Sequence, residues 1–145
     1  MTEKNYDPQM HSAEHILNGT MVKLFGIKRS FTNHLEKKKS KCDYYFDRDL
    51  TQEEKALIQD SVNEIISKNL DVVEEYMNRS EADMLFDLSK LPEDAGDKIR
   101  IIKVGDYDAC PCIGPHVSNT KEIGKFILNT TGYEDGVLRL RFKLG

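Results

Sequence analysis

Val137-Leu138-Arg139-Leu140-Arg141-Phe142-Lys143-Leu144 alternates apolar and basic residues with a period of two. That period belongs to a strand with one face buried and the other in solvent. The face carrying Leu138, Leu140, Phe142 and Leu144 needs a cover, and two upstream stretches offer one. Thr51 followed by Glu54 reads as a capping box, with Leu57, Ile58, Val62, Ile65 and Ile66 forming one apolar stripe behind it. Between His11 and Gly26, the apolar residues Ile16, Leu17, Met21, Leu24 and Phe25 recur at roughly the helical repeat, and Gly26 is a natural stop.

The rest of the chain extends the sheet. Residues from about Lys28 to Asp49 read as two extended segments, with Tyr44, Tyr45 and Phe46 favouring strand and Glu36 to Ser40 supplying the turn. Asp71 to Met77 reads as a strand, Ser80 with Asp83 opens a shorter helix ending near Leu88, and Pro92 to Asp97 is a loop. Ile99 and Ile101 lie in a β-branched run into Gly105, a strand placed to deliver the loop Cys110 to His116. Phe126 to Asn129 and Val137 to Leu144 close as a hairpin over Gly132 to Gly136. These elements make a single α+β domain over residues 1–145, with helices packed on a mainly antiparallel sheet.

The 145 residues carry 21 Lys+Arg against 25 Asp+Glu, a net charge of -4. That balance argues against holding nucleic acid by bulk electrostatics, and no DNA partner is expected; a local basic patch stays open. The apolar runs are all too short for a membrane helix, and MTEKNYDPQM lacks an apolar signal core, so a cytoplasmic location is the default expectation. The three cysteines are odd in number and two flank Pro111. They read as reduced thiols or ligands and not as a disulfide framework.

His11 and His15 are spaced HxxxH, and Cys112 and His116 are spaced CxxxH about a hundred residues later. Histidines one helical turn apart point the same way, and a second pair of donors from a distant segment completes a tetrahedral zinc set. Either pair alone is a weak signal. Three of the chain's four histidines fall inside the two motifs, which makes a shared site the stronger reading.

The segments His11-Ser-Ala-Glu-His15-Ile-Leu, Pro111-Cys112-Ile-Gly-Pro-His116-Val and Asn119-Thr-Lys-Glu-Ile-Gly124 resemble the editing domain shared by alanyl- and threonyl-tRNA synthetases, and most of all the free-standing alanyl-tRNA editing proteins. Asp43 to Asp49, Leu50-Thr51 and Val62 to Ile66 extend the likeness over nearly the whole chain. The resemblance implies an α+β fold of the synthetase second-additional-domain type and hydrolysis of the ester that joins a wrong amino acid to tRNA. It implies zinc, bound at His11, His15, Cys112 and His116, which would also be the catalytic set. Serine on alanine tRNA leads as substrate, glycine on the same tRNA follows, and serine on threonine tRNA stays open. Cys112-Ile113-Gly114-Pro115-His116 is nearer the threonyl version than the Cys-Gly-Gly-Thr-His of many alanyl-type members. Cys110 stands where threonyl relatives carry an acidic residue, and is read as a small buried residue in preference to a substitute ligand.

Three more residues are candidate substrate contacts: His34 on the strand expected to line the cleft, Asp43 at a strand start, and Thr120 close behind the CxxxH loop. Glu122 is near enough to join them. Lys37, Lys38, Lys39, Lys41, Arg139, Arg141 and Lys143 are candidates for tRNA phosphates, although a solvated sheet face explains most of them. The competing reading is a module that keeps the metal as a structural staple and binds RNA or a synthetase without catalysis. An oligomer would help a chain this acidic to hold tRNA.

Overall fold

Two antiparallel sheets share the strands, where the sequence suggested one. The computed structural model describes residues 7–88, 91 and 96–145, so most of the expected loop from Pro92 to Asp97 lies outside the described residues. The order is α1 (Pro8–Phe25), β1 (Thr32–Leu35), β2 (Ser40–Tyr45), α2 (Gln52–Ser67), β3 (Val72–Asn78), α3 (Arg79–Leu85), β4 (Lys98–Val104), β5 (Asp108–Pro111), a 3-10 turn (Thr120–Glu122), β6 (Phe126–Glu134) and β7 (Val137–Leu144). One sheet runs β1-β2-β7-β6 and the other β3-β4-β5. The class is α+β, as expected.

β7 sits inside the four-stranded sheet and behaves as its alternation requires. Leu138, Leu140 and Phe142 are fully buried and stand opposite Tyr44, Cys42 and Ser40 of β2, while Arg139 faces Asp43 on the outer side. α1 and α2 cover the inner face. Met10, Ile16, Leu17 and Met21 from α1 join Ile58, Val62, Ile65 and Ile66 from α2, Phe126 from β6, and Ile102 and Val104 from β4 in one core. Each such side chain contributes roughly 1.5–3 kcal/mol of transfer free energy. Leu57 is the exception in the expected stripe, 48 % exposed, because it lies beyond the edge of the face that meets the core.

β4 is buried on both faces. Ile99 and Ile101 pack with Ala82 of α3 in a second small core, while Ile102 and Val104 point into the main one. The same pleat turns Arg100 toward the side of Ile102, which matters for the loop described below.

Several boundaries move. α1 begins at Pro8, where a missing N–H is harmless at the first helical position. It ends as expected, with Gly26 at φ 66° and its N–H on Val22 O at 2.9 Å. α3 starts after Asn78, which makes no side-chain cap bond, rather than at Ser80, and stops at Leu85. β6 continues through Gly132 to Glu134 with an irregularity between Leu128 and Thr130, so the turn shrinks to Asp135-Gly136, at φ 51° and 84°. Two successive positive φ values are the twist-compatible hairpin geometry. The loop expected over Cys110 to His116 begins as strand, since Cys110 pairs with Ile102 and Pro111 with Ile101 at the end of β5.

Candidate metal centre

α1 brings His11, Glu14 and His15 to one face through their i, i+3 and i+4 spacing. The end of β5 and the loop after it bring Cys112 and His116 to the same place. One donor atom from each of His11, His15, Cys112 and His116 lies within 4.8 Å of the others. His11 Nε2 is 3.2 Å and His116 Nε2 3.5 Å from Cys112 Sγ. Zinc bonds of about 2.0–2.3 Å require tetrahedral edges of about 3.3–3.7 Å; the two edges at Cys112 Sγ are close to that length, and the set as a whole, within 4.8 Å, is of a kind that could hold the ion.

The far sides of two of the three rings are tied down. His11 Nδ1 is 3.2 Å from Pro115 O, and His116 Nδ1 is 3.0 Å from Ser12 Oγ, which also accepts the Val117 N–H at 3.1 Å. With the protons on Nδ1, both Nε2 lone pairs point at the centre. Burial lowers the His11 pKa to about 4 and the His116 pKa to about 3, and moves His15 the same way. All three rings are therefore neutral at physiological pH, the state a metal donor requires. Burial pushes the Cys112 thiol up, so its thiolate requires a nearby cation.

The loop is built for close approach. A Cβ on Gly114 would sit 2.2 Å from His11 Cε1, so no side chain fits there while His11 keeps its place. Arg100 reaches across from β4, its Nη1 donating to Cys112 O at 3.2 Å and Gly114 O at 2.8 Å, and its Nε to Glu74 Oε2 at 2.6 Å. A cavity of about 560 Å³ opens beside this loop, lined by residues that include Tyr76, Lys98, Arg100, Ile113 and Pro115.

Two carboxylates flank the donors, and sequence reading singled out neither. Glu14 is buried, with Oε1 4.0 Å from His11 Nε2 and 3.9 Å from His15 Nε2. Asn18 Nδ2 donates to Glu14 Oε2, and Asn18 Oδ1 accepts the Ser30 N–H at 2.7 Å. The signal for Glu14 was its i+3 distance from His11. Asp108 lies on the other side, its Oδ2 3.8 Å from His15 Nδ1. Arg29 grips Asp108 at 2.6 and 3.2 Å. Burial opposes the Arg29 charge, and the Asp108 carboxylate outweighs it, so the guanidinium stays protonated.

His34, Asp43 and Thr120 stand outside the group of four. His34 is exposed on β1 and pairs with Glu36 at 2.5 Å. Asp43 receives Arg139 Nε and Nη2 at 2.7 and 2.9 Å and the Thr32 hydroxyl at 3.3 Å, and the Arg139 hydrogen bonds hold its carboxyl below the usual range. Arg139 is thereby engaged within the sheet. Thr120 is fully buried; its hydroxyl donates to Ile66 O at 3.0 Å and accepts the Leu70 N–H at 2.9 Å. Glu122 accepts from Ser118 Oγ at 2.6 Å. Cys110 is half-buried, outside the donor set, with burial pushing its thiol up to about 12.

A sequence model of the threonyl and alanyl tRNA synthetase second additional domain matches residues 99–141. The chain is 34% identical over 142 residues to an alanine–tRNA ligase of Saccharolobus islandicus, covering 93% of the chain and 15% of the ligase. It is 34% identical over 132 residues to that of Fervidobacterium nodosum, and 30% over 132 residues to that of Clostridioides difficile, each time with 90% of the chain and 15% of the ligase covered. The chain thus spans about 15% of the length of these ligases. The domain match and the identity support the editing-domain family that the motifs resemble.

Proposed function

We propose that this chain is a trans-acting aminoacyl-tRNA deacylase that hydrolyses the ester of mischarged tRNA in the cytoplasm, with seryl-tRNA(Ala) as leading substrate and glycyl-tRNA(Ala) next. The observation that carries it is the convergence of four zinc-type donors with a buried carboxylate, Glu14, on the donor side of two of them. Similarity to alanine–tRNA ligases over 93% of the chain supports the same reading.

A zinc ion held by His11, His15, Cys112 and His116 would supply Lewis-acid polarisation of the ester carbonyl. Because four protein donors fill a tetrahedron, that polarisation would require one donor to release or the coordination to expand, and water activation falls to a side chain. Glu14 Oε1 takes a proton as the water oxygen bonds to the acyl carbon, and gives it to the ribose oxygen as the ester C–O bond breaks. Asn18 aims Glu14, and Arg100 holds the loop that carries Cys112 and Gly114. The cavity at Ile113 and Pro115 receives the terminal nucleotide, with the Tyr76 ring as a stacking surface and Lys98 near its phosphate. Exclusion of larger acyl groups is second-sieve discrimination.

The test is a deacylation panel of serine, glycine and alanine on alanine tRNA, with serine on threonine tRNA added, run with the wild type and Glu14→Gln. Seryl-tRNA(Ala) is expected to be cleaved and alanyl-tRNA(Ala) spared, with Glu14→Gln slower by roughly a hundredfold at unchanged zinc content. Intact substrates at high enzyme concentration overturn the reading. Faster cleavage of seryl-tRNA(Thr) would move the assignment to threonine tRNA. The closed set of four donors favours a second reading, a zinc-stapled module that binds RNA or a synthetase; tight zinc with no hydrolysis is its signature.

A further inference from the structure

We infer that Asp108 is the positioning residue for His15, locked in place by Arg29 and admitted by the missing side chain of Gly19. The inference rests on the metal-centre reading of His11, His15, Cys112 and His116, and nothing in it depends on the substrate.

His15 is the one ligand histidine whose far nitrogen is left without a partner. His11 Nδ1 has Pro115 O and His116 Nδ1 has Ser12 Oγ, whereas His15 Nδ1 is buried and unbonded. A buried polar atom of this kind calls for an explanation. Asp108 Oδ2 is 3.8 Å away, and a shift of about 1 Å by ring or carboxylate closes a hydrogen bond. A carboxylate on the far nitrogen of a metal-bound histidine fixes the tautomer and aims Nε2 at the ion.

The surroundings of Asp108 permit little else. Both its oxygens are held by Arg29 in a bidentate pair. Its side chain lies against α1 at Gly19, one turn beyond His15. A Cβ at Gly19 would be 3.0 Å from Asp108 Oδ1 and 3.2 Å from its Cβ and Cγ. Glycine is a poor choice inside a helix, and close approach of another group is the physical reason to keep it. Asp108 and Cys110 share one face of β5, and Cys112 follows at the next same-face position, so one strand end delivers a metal ligand and the group that orients another.

The experiment measures zinc affinity of the purified full-length chain by chelator competition, with the cobalt(II) absorption spectrum as a reporter of ligand geometry. Asp108→Asn is expected to weaken zinc binding roughly 10- to 100-fold. Gly19→Ala removes no polar group and favours the helix, yet it pushes the carboxylate away. It is expected to lose affinity several-fold and alter the cobalt spectrum while the thermal midpoint holds or rises. Gly132→Ala, where a Cβ meets nothing within 4 Å, is the control and should bind as wild type. Wild-type affinity in Asp108→Asn overturns the inference, and if that variant does not fold, wild-type affinity in Gly19→Ala overturns it. A wild type that binds no zinc removes the inference with its premise. Zinc binding that responds to both substitutions, in a protein that cleaves no aminoacyl-tRNA, leaves the inference standing and overturns only the deacylase reading.

Discussion

α1 and α2 are 18 and 16 residues long and line the same core, yet they are held by different means. α2 carries its own instructions. Thr51 Oγ1 accepts the Glu54 N–H at 3.1 Å, Glu54 Oε1 accepts the Thr51 N–H at 2.9 Å, and the buried residues Ile58, Val62, Ile65 and Ile66 are all apolar. α1 has no side-chain cap bond and buries every residue from Met10 to Met21, including His11, Ser12, Glu14, His15, Asn18 and Thr20. Three of them have polar partners far along the chain: Pro115 and Cys112 for His11, His116 for Ser12, Tyr107 for Thr20. A buried polar group left without a partner costs about 1–3 kcal/mol. α1 therefore depends on β5 and the loop after it being docked, whereas α2 depends on an apolar stripe. A helix that is buried on all sides and polar is a helix shaped by its site.

This contrast can be broken or sharpened by experiment. The largest effect belongs to α1: His15→Ala or Cys112→Ala should abolish stoichiometric zinc and reduce deacylation by roughly a thousandfold or more, read by metal analysis and single-turnover kinetics. Next comes Ile58→Ala in α2, which should lower stability by about 2–5 kcal/mol in urea titration, with zinc affinity of the folded protein unchanged. A coupled loss of both would deny that the two helices are separately specified.

Acid should separate the two helices in the metal-free protein. His11 and His116 have folded pKa values of about 4 and about 3, below the unfolded 6.5, so the unfolded chain binds more protons once the pH drops below 6.5. Stability falls with pH from there to about 3. Glu54, lowered to about 2 chiefly by its Arg48 hydrogen bonds, loses its contribution only as the pH falls from 4.5 toward 2. Thermal midpoints followed against pH should therefore decline first from the α1 side, and zinc should suppress that early decline. The smallest effect is Thr51→Ala, about 1 kcal/mol by calorimetry with metal binding untouched.

Much of the fold was legible because it is written in local periods. The capping box at Thr51, the stop at Gly26 and the alternation of β7 each follow from neighbours a few residues apart. β5 was not legible, since a four-residue strand that exists by pairing with β4 carries no period of its own. The β6 boundary failed for a related reason: Gly132 reads as a turn residue, but its pairing with Arg139 extends the strand past it. Leu57 fits the helical stripe by spacing and misses the core by angle.

The site divides along the same line. Residue type and spacing alone nominated His11, His15, Cys112 and His116, because few residue types bind zinc and helical spacing aligns two of them. Whether His34, Asp43 and Thr120 face a substrate could not be read that way; their nearest polar partners are Glu36, Arg139, and the backbone of Ile66 and Leu70. Arg100, Asp108 and Gly19 became visible only in three dimensions, as did the surroundings of Glu14 and Gly114. Their meaning lies in distances between α1, β4, β5 and the loop, across separations of up to about a hundred residues. Donor chemistry and local period are properties of the chain; which carboxylate stands beside which imidazole is a property of how distant segments pack, and tertiary structure decides it.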